Sequence, residues 1–90
     1  MKNVYVGIDI SKDTLDFCVV EPKRISFHKI KNNVAAIGKL LKTIKEIDPQ
    51  AYLCMENTGY YNFNLYEVLE KFSFRTYVID PKLIKRSIGL

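Results

Sequence analysis

The first apolar run, Val4-Tyr5-Val6-Gly7-Ile8-Asp9-Ile10, constrains this chain more than any other feature. Val, Tyr and Ile suit a pleated, buried surface, so the run reads as a central strand. A carboxylate inside such a strand is costly unless a metal ion, a cation or hydrogen bonds compensate for it. Gly7 offers no side chain to pack and suggests that something approaches the backbone closely there. Ser11-Lys12-Asp13 then forms a short polar turn, and Thr14-Leu15-Asp16-Phe17-Cys18-Val19-Val20 returns as a second strand. The founding unit is strand, acid, tight turn, strand.

Downstream, Glu21-Pro22-Lys23-Arg24 reads as a turn and Ile25–Lys31 as a third strand. Its alternation places Ile25, Phe27 and Lys29 on one face and Ser26, His28 and Ile30 on the other, and its lysines suit a sheet edge. His28 reads as a half-exposed strand residue. Asn32-Asn33 offers a helix cap. Behind it Val34, Ile37, Leu40, Leu41, Ile44 and Ile47 recur at helical spacing, while Lys39, Lys42, Lys45 and Glu46 read as a solvated face. Asp48-Pro49 ends that helix. Ala51–Met55 is a second continuous apolar run and stops at Glu56. A helix is expected from Tyr60 through Phe72, with Tyr61, Leu65, Val68, Leu69 and Phe72 inward. Arg75–Ile79 is the next apolar run and stops at Asp80, which reads as a helix cap, while Pro81 suits the first turn of a last helix running from Lys82.

Hairpins first and helical crossovers afterwards predict a mixed α/β sheet of order 3-2-1-4-5, with the first, fourth and fifth strands parallel. Ninety residues make one domain with one modest core. The final Ile88-Gly89-Leu90 lacks a cap, which is read as a fragment cut inside or just after a helix. No apolar stretch approaches the roughly 20 residues of a membrane span, and no signal-peptide layout opens the chain. Cys18 and Cys54 lack metal-ligand spacing and read as small buried residues on strands, unbonded because a strand separates them. Reduced cysteines fit a cytoplasmic protein. The net charge of +4 points mildly toward an anionic partner.

Asp9 and Glu56 end strands that this topology makes parallel neighbours, about 4.8 Å apart in the hydrogen-bonding direction. Ligands of open α/β sheets bind at such strand ends. Two carboxylates so close call for a cation, and Mg²⁺ or Mn²⁺ with oxygen ligands is the candidate. Asp13 and Asp16 are read as turn and outward-facing residues.

Three blocks in order, Val6-Gly7-Ile8-Asp9-Ile10-Ser11-Lys12, Glu56-Asn57-Thr58-Gly59-Tyr60-Tyr61 and Val78-Ile79-Asp80-Pro81-Lys82, resemble the N-terminal domain of bacterial insertion-sequence transposases of the DEDD type. This is the insertion-sequence family numbered one hundred and ten, with pilin-gene invertases as relatives. The resemblance spans nearly the whole chain. It implies a ribonuclease H-like, RuvC-like fold with helices on both faces, of which residues 1–90 are a part truncated at the C-terminus. It also implies a four-acid, divalent-metal site for DNA strand cleavage and joining. Asp9 matches the first acid and Glu56 the second, as catalytic and metal-binding residues. The last two acids belong to a Thr-Asp-x-x-Asp motif expected beyond Leu90, together with a C-terminal domain whose serine no residue here matches, so this fragment is expected to be inactive alone. DNA is the implied partner, contacted by Lys12, Lys82, Lys85 and Arg86. Members of the family resemble RNA-guided recombinases, which adds a bridging RNA and a homo-oligomeric full-length protein to the expectations.

Two other readings compete. Sugar kinases and other actin-like ATPases also begin with a Gly-x-Asp strand, but their phosphate cradle wants a second glycine where this chain has Ile10-Ser11-Lys12-Asp13. A plain nucleic-acid-binding module would use the basic last helix without any metal.

Overall fold

In a computed structural model, residues 3–57 and 59–79 are described. The strands β1 (Tyr5–Ile10), β2 (Thr14–Glu21) and β3 (Arg24–Lys31) form an antiparallel meander. Helix α1 (Val34–Ile47) crosses to β4 (Tyr52–Glu56), and a 3₁₀ turn (Gly59–Asn62) with α2 (Phe63–Leu69) crosses to β5 (Arg75–Ile79). The sheet order is β3-β2-β1-β4-β5, with β4 parallel to both β1 and β5. The topology expected from the order of apolar runs is the observed one.

Alternation decides what each strand buries. Val4, Val6, Ile8 and Ile10 point to one face, joined there by Leu15, Phe17 and Val19 of β2 and by Leu53 and Met55 of β4. On that face α1 lays down Ile37, Leu41 and Ile44, and α2 adds Leu65 and Val68, which makes one continuous core. Fully burying a side chain such as Phe17 contributes about 1.5–3 kcal/mol, so this face holds the sheet and helices together. Helix α1 starts where expected: the Asn33 side chain accepts a hydrogen bond from the Ala36 amide at 2.8 Å. It ends at Asp48, whose carboxylate accepts from the Val4 amide at 3.2 Å and so ties the helix end to the beginning of the central strand.

Both described helices cover the same face, and the helix expected from Lys82 lies outside the described residues. The opposite face is therefore open among the described residues, which corrects two expectations. Asp9 is exposed rather than embedded in a buried strand, and Cys54 is exposed rather than buried, with Cys18 half-buried. Both thiols are free, as expected. The second helix is also shorter than its apolar spacing suggested. Its first turn is a 3₁₀ turn, and Tyr61, expected inward, is exposed, while Asn62 takes the interior position. Hydrogen bonding by a buried amide overrides the hydrophobic stripe there.

Candidate functional site

The parallel register Tyr5↔Tyr52, Val6↔Leu53, Gly7↔Cys54 and Ile8↔Met55 carries β1 and β4 forward in step. One residue further on, Asp9 and Glu56 stand at the C-terminal ends of the two strands. The alternation that buries Ile8 and Met55 turns both acids to the open face, where they line one shallow depression of about 410 Å³. Gly7, Cys18 and Cys54 form its floor. A Cβ added to Gly7 would meet nothing within 4 Å, so among the described residues nothing makes the close approach expected there.

A third acid lines the same depression. Asp16 is the cross-strand partner of Asp9 in the β1–β2 hairpin, and its carboxylate pairs with Lys29 at 3.7 Å. The sequence reading made it merely outward-facing. The signal was present: a tight turn centred on Lys12-Asp13 pairs residues equidistant from it, and Asp9 and Asp16 are such a pair. Among the described residues no three His, Cys, Asp or Glu side chains converge closely enough to hold a metal by themselves. The donor set is nevertheless of the right kind, since carboxylate oxygens are what Mg²⁺ and Mn²⁺ take, and such ions commonly bind through one or two protein carboxylates.

Two buttresses fix the loops that follow the acids. Beyond β1, the Ser11 amide donates to the Thr14 carbonyl at 2.9 Å, which closes the turn that carries exposed Lys12 at the acidic end of the sheet. Asn32 then reaches across, its side-chain amide donating to the Ser11 carbonyl at 2.9 Å and to the Tyr61 carbonyl at 3.0 Å. The turn after Asp9 and the turn after Glu56 are thus locked to each other. Under Glu56, the buried Asn62 amide donates to the Glu56 carbonyl at 3.0 Å and to the Tyr66 hydroxyl at 3.1 Å. Gly59 takes φ +72°, a backbone conformation that glycine adopts freely, and donates to the Asn57 side chain at 3.1 Å. The Asn64 side-chain amide also donates to the Asn32 carbonyl at 3.0 Å; sequence reasoning singled out none of Asn32, Asn62 or Asn64 as positioning residues, because apolar periodicity carries no signal for such side-chain bonds. Of the sequence-predicted site residues, Asp9 and Glu56 come together and Lys12 lies at the same sheet end, whereas Asp80, Lys82, Lys85 and Arg86 lie outside the described residues.

A mixed sheet of order 3-2-1-4-5, with acids on the ends of its central strand and that strand's parallel neighbour, defines a ribonuclease H-like domain of the RuvC type. The fold comparison agrees: a RuvC structure, "T. thermophilus RuvC in complex with Holliday junction substrate", superposes with a TM-score of 0.63 at 15% identity, covering 97% of this chain and 70% of that one. The chain belongs to the DEDD-type transposase family IS110, whose family model, described as "Transposase", matches residues 6–89. No curated protein matches the sequence.

Proposed function

We propose that this chain supplies the first two acids, Asp9 and Glu56, of a divalent-metal site with which the full-length transposase cleaves and joins DNA strands. The observation that carries the reading is that these two acids, at the ends of parallel neighbours, line one depression on the face left open among the described residues. Bound there, Mg²⁺ or Mn²⁺ would stabilise the charge that develops on phosphate oxygens. The chain's own part is to hold two anionic oxygen donors at a fixed separation and to keep the loops behind them rigid through Asn32 and Asn62. Lys12, at the same sheet end, suits a DNA phosphate. On this reading Asp9 and Glu56 alone do not complete the ligand set, so the ninety-residue chain by itself does not cut DNA. The DNA partner is supported by family membership and by the RuvC neighbour's having been solved with a Holliday junction substrate.

The test is thermal melting with and without ion. Millimolar Mg²⁺ or Mn²⁺ raises the melting temperature of the wild-type chain, because an ion bound only to the native state stabilises it. Asp9→Asn and Glu56→Gln abolish most of that rise. An equal rise in all three proteins would exclude these acids as ligands. Divalent-dependent DNA cleavage by the purified chain, lost in Asp9→Ala, would show that two acids suffice and overturn the incomplete-site reading.

A further inference from the structure

On the helical face, opposite the acids, α1 and the end of α2 enclose a groove of about 670 Å³. Lys39, Lys42 and Lys45 line one wall and Lys71 closes the other, with Glu46 as the sole acid among the lining residues. Four lysines against one glutamate give +3, whereas the whole chain carries +4. The groove is thus a concave surface with a local excess of three positive charges. In the sequence the α1 lysines read as an ordinary solvated face. Lys71, 26 residues or more away, changes that, because a helix shedding charge into solvent has no need of a facing cation.

We propose that this groove binds the phosphate backbone of duplex DNA, as a second DNA-contacting surface distinct from the acidic depression. The groove's chemistry selects the ligand. Lysine ammonium groups are compact, strongly hydrated charges that suit phosphate contact without base readout. The groove wall carries no Arg, Asn or Gln to read base edges. Successive lysines three residues apart rise about 4.5 Å along the helix, and a duplex presents one charge per about 1.7 Å of its axis, so several phosphates fall within reach at once. Single strands are disfavoured because they bind through free aromatic faces. The one aromatic ring in the groove, Phe72, is already stacked on Phe74 at 5.1 Å and covered by Lys45 at 5.9 Å. At the floor, Gly38 leaves the helix surface low: an added Cβ would touch only Val68, at 3.9 Å. Resting on the proposed function, the location also makes sense, since joining strands from two duplexes requires hold of DNA away from the cut.

Binding of the ninety-residue chain to a fluorescent duplex is measured by anisotropy between 50 and 200 mM salt in chelator, which removes any contribution of the acidic site. The variant Lys39→Gln/Lys42→Gln/Lys71→Gln spares Lys45, which packs on Phe72. A charge-matched control, Lys23→Gln/Arg24→Gln/Lys31→Gln, removes three cations from the β2–β3 hairpin. The groove variant is expected to lose on the order of 100-fold in affinity at 0.1 M salt, with the slope of log affinity against log salt shallower by about 2–3, since each phosphate contact contributes about 0.9. The control changes the slope by less than about one. Equal losses in the two variants, or no duplex binding by wild type, overturn the proposal. Should the triple variant fold poorly, Ala35→Glu places an acid at the groove floor near the helix start, where it suits the helix, and must weaken binding likewise. Failure here with a normal metal response in melting removes the groove alone; a normal groove with no metal response removes only the acidic site.

Discussion

Replacing Asn62 by alanine tests whether Glu56 is held by design or merely ends a strand. The side chain is fully buried, and its amide donates to the Glu56 carbonyl at 3.0 Å and to the Tyr66 hydroxyl at 3.1 Å. Each such bond contributes about 1 kcal/mol net, and an acceptor left buried without a donor adds to the loss. Deleting three buried heavy atoms also leaves a small void. The sum is about 2–3 kcal/mol, or about 10–20 °C in melting temperature for a domain of this size. Circular-dichroism melts and urea titrations of Asn62→Ala, Tyr66→Phe and the double variant form the assay. Tyr66→Phe alone should cost about 0.5–1.5 kcal/mol, and almost nothing once Asn62 is alanine, a coupling of at least about 0.5 kcal/mol. An Asn62→Ala protein that melts within about 3 °C of wild type would refute the reasoning. So would a Tyr66→Phe cost that is the same in both backgrounds.

The two glycines of the site should respond in opposite directions. At Gly7 an added Cβ meets nothing within 4 Å, so Gly7→Ala stabilises the free chain by about 0.5–1 kcal/mol by restricting the unfolded state. At Gly59 the φ of +72° makes alanine cost about 1–2 kcal/mol. Urea midpoints that move the same way for both would contradict the geometry. Cys18 and Cys54 both face Gly7 in register from its two sides, about 9–10 Å apart by strand spacing, beyond the roughly 7 Å a disulfide allows. Thiol titration of the denatured monomer should find both cysteines free, with Cys54 the faster to react in the native state. Finding neither would reverse that assignment.

Much of this architecture is written in local pattern. Val4-Tyr5-Val6-Gly7-Ile8 alternates inward and outward residues, and the short turn after Ile10 forces an antiparallel return, so β1 and β2 follow from chain chemistry alone. The spacing of Ile37, Leu41 and Ile44 yields α1, and its lone asparagine cap is found at the expected residue. Parallel pairing of β4 beside β1 follows from the connectivity rather than from any residue: a helical crossover from β3 runs β4 parallel to β3 and hence to β1, whose free edge it takes. Once that is granted, the position of Glu56 beside Asp9 follows as well, because both acids stand one step past the last paired apolar residue. These are short-range rules applied in sequence, and nothing in them depends on the exact identity of a distant partner.

The features that escaped are those whose cause is a partner far along the chain. Asn32 looks like half of a helix cap, yet Asn33 alone caps α1, and the Asn32 amide joins loops 21 and 29 residues away. Asn62 is the exception, since its partners Glu56 and Tyr66 are only six and four residues away, and it escaped because an apolar stripe carries no signal for a buried amide. Lys71 carries no signal beside Phe72 until α2 brings it across from Lys39 and Lys42. The exposure of Asp9 has the same origin. A strand's alternation says which residues share a face but not which face a crossover will cover, and right-handed crossovers from β3 to β4 and from β4 to β5, which move the same way across the sheet, put α1 and α2 on one side. Among the described residues, then, Asp9 and Glu56 face an uncovered side of the sheet because α1 and α2 both pack on the other, and Asn32 and Asn62 tie together the loops that follow them.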